Sequence, residues 1–283
     1  MRVHHLNAGT MCPISAKLVN GRGGLFERAR LVCHVLLLET DDGLVLVDTG
    51  LGMDDIASPG RLGKDWVSNV SPRLAVEETA IEQVKALGFS ATDVRHILLT
   101  HLDRDHAGGI ADFPLAKVHV HLREHQAAVT GELQVRKGRY VCSQWNARSE
   151  WVLYGAAGED WFGFKGVRAL DDRNPDVLII PLPGHTPGHC GIAVRGTDKW
   201  LLHAGDSYFF HGQIQTPPLP PPVALGFFQR KADTNQAQRV ANQERLRVLN
   251  ACHGSEITIF SSHDPQEYDC CCGRARIGKT PPP

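Results

Sequence analysis

The chain has 283 residues, of which 42% are hydrophobic and 22% charged, and a formal net charge of -1. That length and balance suit a globular protein with a large core. Near-neutrality gives no general field for nucleic acid or anionic lipid, so RNA processing is disfavoured and neither a nucleic-acid nor a membrane partner is expected. The opening MRVHHLNAGTMC enters an alternating pattern without a secretory apolar stretch, and no later run reaches membrane-spanning length, so a cytoplasmic protein is expected. Eight cysteines, including the run Cys270 to Cys272, lack paired zinc-ribbon spacing and read as reduced thiols, most of them in apolar stretches. No linker, repeat or composition shift marks a boundary, so residues 1–269 read as one domain and the basic, Pro-ended 270–283 as a flexible tail.

In chain order, residues 33–48 read CHVLLLETDDGLVLVD, two apolar β-rich runs about a DDG turn, which predicts a hairpin. An amphipathic helix is predicted over 75–87, with Ile81, Val84 and Leu87 on one face and Gly88 ending it. Strands are predicted at 94–100, 117–121, 177–181, 191–195, 200–203 and 257–261, and a helix at 234–250. Hairpins first, then helices interleaved with strands, fit an α/β sandwich of two packed β-sheets with helices on the outer faces. The Trp-bearing 139–164 and the Pro/Phe-rich 213–228 read as long loops, which more often serve binding than scaffolding.

The sharpest local feature is THLDRDHAGG, from Thr100 to Gly109, where a buried strand ends. Extended backbone puts His101 and Asp103 on one side, and a turn then brings Asp105 and His106 toward it. A polar cluster after a strand can be merely a solvated loop, but three further strand ends repeat the theme. PGHTPGH (183–189), HAGDSY (203–208) and SSHD (261–264) each place a His or Asp just past an apolar run. Loops at one edge of a sheet that carry such residues can collect metal ligands.

These motifs, together with VDTG at 47–50, resemble the metallo-β-lactamase superfamily over almost the whole chain, with its His-x-His-x-Asp-His signature followed by a His, a bridging Asp and a last His. The resemblance implies the αββα metallo-β-lactamase sandwich and a two-metal site. His101, Asp103 and His185 would form the first half, Asp105, His106 and His263 the second, and Asp206 would bridge them. Asp48 would be a supporting carboxylate rather than a ligand. One position departs from the pattern: Asp103 stands where most hydrolases of the family have His. Two divalent ions are implied, zinc by family habit, with iron or manganese better tolerated at the half containing the harder Asp103. A carboxylate there also resembles the flavodiiron proteins, but the chain shows no flavin-phosphate loop.

Other histidines have plainer readings. His189 follows a TPG turn and is expected to support the loop of His185, while His4, His5, His34, His119, His121, His125 and His211 lack the strand-end context. His253 competes with His263 as the last ligand, and His263 is preferred because it follows the apolar run ITIFSS. No Gly-x-Ser-x-Gly elbow occurs, so covalent catalysis has little support. Metal-held hydroxide is the nucleophile that the resemblance implies, with Asp105 orienting it.

Acyl-homoserine lactonases of the superfamily carry a Tyr shortly after the bridging Asp, one residue further along than Tyr208, which is placed here as a donor to the oxyanion. The loops at 139–164 and 213–228 are expected to wall the site for a small-molecule substrate with an acyl or aryl portion. Hydrolysis of a lactone or carboxylic ester is the expected activity. The alternatives are a phosphoester or thioester substrate, as in glyoxalase II, and a di-iron oxidoreductase. For a phosphoester, only Arg136, Lys137 and Arg139 offer a basic anchor. The oligomeric state is left open, a homodimer included.

Overall fold

The computed structural model describes residues 1–130, 138–146, 150–155 and 157–274. Its twelve strands are β1 (Arg2–Asn7), β2 (His34–Thr40), β3 (Gly43–Val47), β4 (Val94–Leu98), β5 (Lys117–His121), β6 (Trp151–Tyr154), β7 (Glu159–Trp161), β8 (Phe164–Ala169), β9 (Val177–Pro181), β10 (Cys190–Arg195), β11 (Trp200–His203) and β12 (Ile257–Phe260). They form two six-stranded sheets, ordered β1-β2-β3-β4-β5-β6 and β12-β11-β10-β9-β8-β7. In the first, β1 to β3 are antiparallel neighbours, whereas β3 to β6 run parallel. In the second, only the β11–β12 pair is parallel.

The period-two alternation of strands explains the layering. Leu36, Leu38, Val45, Val47 and Leu98 of the first sheet meet Val177, Ile179, Ile192, Val194 and Phe260 of the second in one buried cluster. The opposite face of the first sheet, with Leu37, Leu46 and Ile97, is covered by Ala80 and Val84 of the helix Ala80–Ala86 and by Ala127 and Ala128 of the helix Leu122–Val129. Ile180, Leu202 and Ile257 on the far face of the second sheet pack on Leu246 and Leu249 of the helix Gln236–His253. The result is the αββα sandwich that the sequence predicts.

Three expectations need correction. The helix expected over 75–87 is a short 3-10 turn, Val76–Glu78, followed by Ala80–Ala86, because Thr79 is extended and its hydroxyl donates to Val76 O. The region 139–164 is not all loop: it contains β6 and β7, the edge strands of the two sheets, each too short to show a period. The region 213–228 contains a cis Thr216–Pro217 bond and then enters the helix Val223–Ala232. Cys270 and Cys271 of the expected tail belong to the helix Pro265–Cys271, Cys272 to Arg274 follow as a turn, and 275–283 lie outside the described residues. Among the described residues no helix is long and apolar enough to cross a membrane.

Candidate metal centre

Parallel pairing of β3 and β4 brings their C-terminal ends side by side, and the site grows from that edge. Just past β3, Asp48 takes a left-handed φ of 59°, a conformation rare for residues other than glycine. Its carboxylate accepts from Thr100 N at 2.7 Å and Thr100 Oγ1 at 2.8 Å, and lies 2.9 Å from His106 Nδ1. Burial opposes the charge on Asp48, but His106 outweighs burial and holds the carboxyl below its ordinary pKa. Asp48 therefore fixes the His106 ring and leaves Nε2 facing the site, as a supporting carboxylate does.

Two of the other imidazoles are held by a hydrogen bond at Nδ1. His101 Nδ1 lies 2.9 Å from Thr100 Oγ1, and His263 Nδ1 donates to Val32 O at 2.8 Å. His185 Nδ1 faces Asp233 Oδ1 at 3.8 Å, with Asp233 itself gripped by Arg239. Each ring thus turns Nε2 inward.

Asp206 lies between the two halves. Its Oδ2 is 3.7 Å from His101 Nε2 and 3.3 Å from His185 Nε2. Its Oδ1 is 3.5 Å from His106 Nε2 and 3.2 Å from His263 Nε2. Asp103 Oδ2 closes the first half, 3.3 Å from His101 Nε2 and 3.1 Å from His185 Nε2. Asp105 Oδ2 stands 3.7 Å from His263 Nε2 in the second. All seven residues proposed from the sequence are brought together.

His101 Nε2, His106 Nε2 and Asp206 Oδ1 are buried with no hydrogen-bond partner among the described residues. Orphaned polar atoms of this kind are costly, and a cation in each half would engage them, His101 Nε2 in the first and His106 Nε2 with Asp206 Oδ1 in the second. Imidazole and carboxylate donors in two groups sharing one carboxylate fit a dinuclear divalent-metal centre. Without an ion, the charges balance by protonation. Burial lowers His106 and His263, but Asp206, joined by Asp48 at His106 and by Asp105 at His263, raises both. His101 goes the other way, lowered by burial and by His106.

His253 ends its helix away from this cluster, with Nδ1 2.8 Å from Glu256. His189 supports the loop of His185, as expected, and a second loop besides. Its Nδ1 donates to Leu182 O while its Nε2 accepts from Asp206 N at 2.8 Å, so it also positions Asp206. A Cβ at Gly205, where φ is +55°, would come 2.4 Å from that same Nε2, which is why glycine precedes Asp206.

Tyr208 is a correction. It is fully buried among Ile214, Leu246 and Leu249, and its hydroxyl donates to Glu267 Oε1 at 2.8 Å. The backbone turns after Asp206, so the next residue takes the site-facing direction: the Phe209 ring lies 5.3 Å from the His263 ring and lines the neighbouring cavity. No phenol from this segment faces the metals.

Two further residues are at the centre: Arg139, read from the sequence only as a basic anchor for a phosphoester, and Cys33, which sequence reasoning missed. Arg139 Nε and Nη2 donate to Asp103 Oδ1 and Oδ2. The Cys33 thiol falls within a ligand-sized cluster with Asp105 and His263. Neither carries a local pattern that would reveal it.

Two cavities meet at the cluster. One, of about 220 Å³, is walled by Met11, Leu31, Val70, Phe209, Leu225 and Phe228, with Asp105 and His263 at its floor. The other, of about 420 Å³, reaches Asp103, His185 and Asp206 and has Trp66, Phe227, Arg139 and Lys231 around it. The Phe-bearing part of 213–228 lines the site as expected. The tryptophans of 139–164 do not: Trp145 is in the core, Trp151 is in β6, and Trp161 packs on Trp200.

A sandwich of two mixed sheets with this donor cluster at its strand ends is that of a metal-dependent hydrolase. The family description "Metallo-beta-lactamase superfamily" matches residues 28–251, and the chain belongs to that superfamily. It is 40% identical over 268 residues to the "Probable metallo-hydrolase Rv2300c" of Mycobacterium tuberculosis, covering 95% of this chain and 82% of the relative. It is 26% identical over 272 residues to the "N-acyl homoserine lactonase AttM" of Agrobacterium fabrum, covering 95% of each. Among solved structures, an N-acyl homoserine lactone hydrolase with the product N-hexanoyl-L-homoserine at its catalytic metal center superposes with a TM-score of 0.70. The identity is 21%, over 95% of each chain.

Proposed function

We propose that the chain is a dinuclear metal-dependent hydrolase that opens a lactone or cleaves a carboxylic ester. The observation that carries this reading is Asp206, whose two oxygens face separate pairs of imidazoles, one of which, His263, lies with Asp105 at the floor of an apolar cavity. His101, Asp103, His185 and Asp206 would hold one ion, and Asp105, His106, His263 and Asp206 the other. When bound, a divalent pair supplies a Lewis acid for the substrate carbonyl and a water acidified to a pKa of about 7. Zinc suits the imidazole-rich set, with iron or manganese better accepted beside Asp103.

The remaining work belongs to the chain. Asp48 and Val32 O keep the His106 and His263 rings aimed, Asp105 is placed to accept a proton or orient the attacking oxygen, and the apolar wall excludes water around an acyl or aryl portion. The lactonase names of AttM and of the superposed hydrolase agree with that choice. Phe209 rather than a tyrosine stands at the wall, so this segment offers no hydroxyl donor to the carbonyl oxygen, and a bound metal would have to supply that stabilisation.

A phosphoester or thioester reading has one observation of its own, the cations Arg139 and Lys231 beside the larger cavity. Metal-reconstituted protein offered a panel of lactones, carboxylic esters, thioesters and phosphodiesters decides between them. Lactone or ester hydrolysis is expected, with solvent oxygen entering the carboxylate product in a single turnover in isotopically labelled water. Fully metallated protein that ignores every lactone and ester but cleaves phosphodiesters would overturn the assignment.

A further inference from the structure

Leading into β2, the segment Val32 to His34 runs beside Ser262 and His263. Val32 O receives His263 Nδ1, and His34 N donates to Ser262 O at 2.9 Å. Side chains alternate along this stretch. His34 turns into the cluster of His5, His203 and Phe260, so Cys33 turns the other way, toward the metal edge. Its backbone is pinned on both sides: Cys33 N donates to Asn7 Oδ1 and to Gly9 O, each at 3.0 Å, and Cys33 O accepts from Ala8 N at 2.8 Å. The thiol is therefore set in direction, and the residue is 2% exposed.

Cys33 Sγ, a ring nitrogen of His263 and a carboxylate oxygen of Asp105 all lie within 4.8 Å of one another. Among the described residues no hydrogen bond engages the thiol, so nothing competes for it. A second set, His106, Asp206 and His263, meets the same limit and shares His263 with the first. The unpartnered buried atoms His106 Nε2 and Asp206 Oδ1 belong to that second set, so through His263 the Cys33 set adjoins a position with a cation-sized need.

We infer that Cys33 is a thiolate ligand of the ion held by Asp105, His106, Asp206 and His263. This rests on the metal-centre reading above and adds a donor to it. The half containing Asp103 has oxygen and nitrogen donors only, so the two halves differ in softness: a carboxylate hardens the first and a sulfur softens the second. Ligation by sulfur requires the thiol to release its proton as the ion binds, so metal uptake liberates one proton at this position.

Cobalt(II) reads this directly, because a thiolate bound to cobalt gives an intense near-ultraviolet charge-transfer band that nitrogen and oxygen ligands do not. Metal-free full-length protein titrated with cobalt is expected to develop that band as the Asp105-containing half fills. Cys33→Ser should abolish the band, keep the ion of the Asp103 half, and weaken the other by at least the roughly 10–100-fold seen when even a supporting group is lost. Cys33→Ala serves the same purpose if the serine variant does not fold, and the wild-type spectrum is informative by itself. Two bound cobalt ions without the band, or a band that survives in Cys33→Ser, would overturn the assignment of Cys33 alone. Failure to bind cobalt at all would overturn the metal-centre reading and this inference with it.

Discussion

Arg139 grips Asp103 with two guanidinium nitrogens, Nε 2.5 Å from Oδ1 and Nη2 2.7 Å from Oδ2, while the same Nη2 lies 2.7 Å from His185 Nε2. The guanidinium thus faces two of the four donors of the first half. Burial opposes the charge on Asp103, yet Arg139 and then His101 outweigh burial and hold the carboxyl well below its ordinary pKa. An aspartate in place of the family's histidine adds a negative charge, and Arg139 is the group that balances it.

Removing that balance should matter most when no ion is present. Arg139→Gln leaves a carboxylate beside Asp206 without its cation, and breaking a buried pair costs about 3–5 kcal/mol. With metal bound, the ion itself supplies the missing charge. The chelated variant should therefore melt well below chelated wild type, while the metal-loaded pair should melt close together. Equal losses in both states would show that Arg139 matters through its other contact, with Ala232 O.

Most of the metal edge was legible because each donor follows an apolar strand, and strand periodicity is a strong signal. His101, His185, Asp206 and His263 all announce themselves in this way. What stayed hidden depends on long-range pairing or on a single turn of the backbone. Arg139 meets Asp103 across 36 residues, and nothing near either position encodes the contact. Cys33 looks like one more apolar residue of a hairpin until the pairing of 32–34 with 262–263 turns its thiol to the edge. Tyr208 turns into the core and Phe209 takes the site-facing place expected of Tyr208, because the chain turns after Asp206 rather than continuing as a strand. The edge strands β6 and β7 were invisible because four and three residues are too few to display alternation.

The choice between His263 and His253 can be tested by metal content. His263 is buried with Nε2 3.2 Å from Asp206, whereas the His253 side chain is 39% exposed and faces Glu256. His263→Ala should lose one ion and most activity; His253→Ala should keep both ions and near wild-type turnover. Elemental analysis and a hydrolysis assay on the same preparations check this, and retention of both ions in His263→Ala would remove that residue from the ligand set.

Tyr208 should affect stability rather than chemistry. Glu267 is fully buried and accepts from Tyr208 through Oε1 and from Ser261 N and Oγ through Oε2. Tyr208→Phe deletes one of these donors, for which about 1–3 kcal/mol is the usual cost of a buried group left short of a partner. Metal content and saturated turnover should stay near wild type while the unfolding midpoint drops. Turnover that falls with an unchanged midpoint would place the hydroxyl at the substrate after all.

Acid should act on a buried polar chain remote from the metals. His96 Nδ1 lies 2.8 Å from His119 Nε2, His119 Nδ1 lies 2.5 Å from Tyr154 Oη, and Tyr154 donates to Leu170 O at 3.2 Å. If Tyr154 donates onward, His119 Nδ1–H donates to Tyr154, and Nε2 must accept from His96, so a neutral His119 satisfies every member. A proton on Nε2 would oppose the His96 N–H. Burial, and then His96, accordingly push His119 down to about 3 from 6.5. A histidine whose folded pKa is depressed contributes stability that is fully present above the unfolded value and is lost as pH falls through the folded one. The window is therefore about pH 6.5 down to about 3. His119→Gln cannot take up that proton, so its stability should fall less steeply with acid than that of wild type. The difference in urea midpoint between the two proteins should be widest above about pH 6.5 and shrink as the pH is lowered. A difference that stays constant from neutral pH into that window would show that His119 is not held neutral by the chain of His96 and Tyr154.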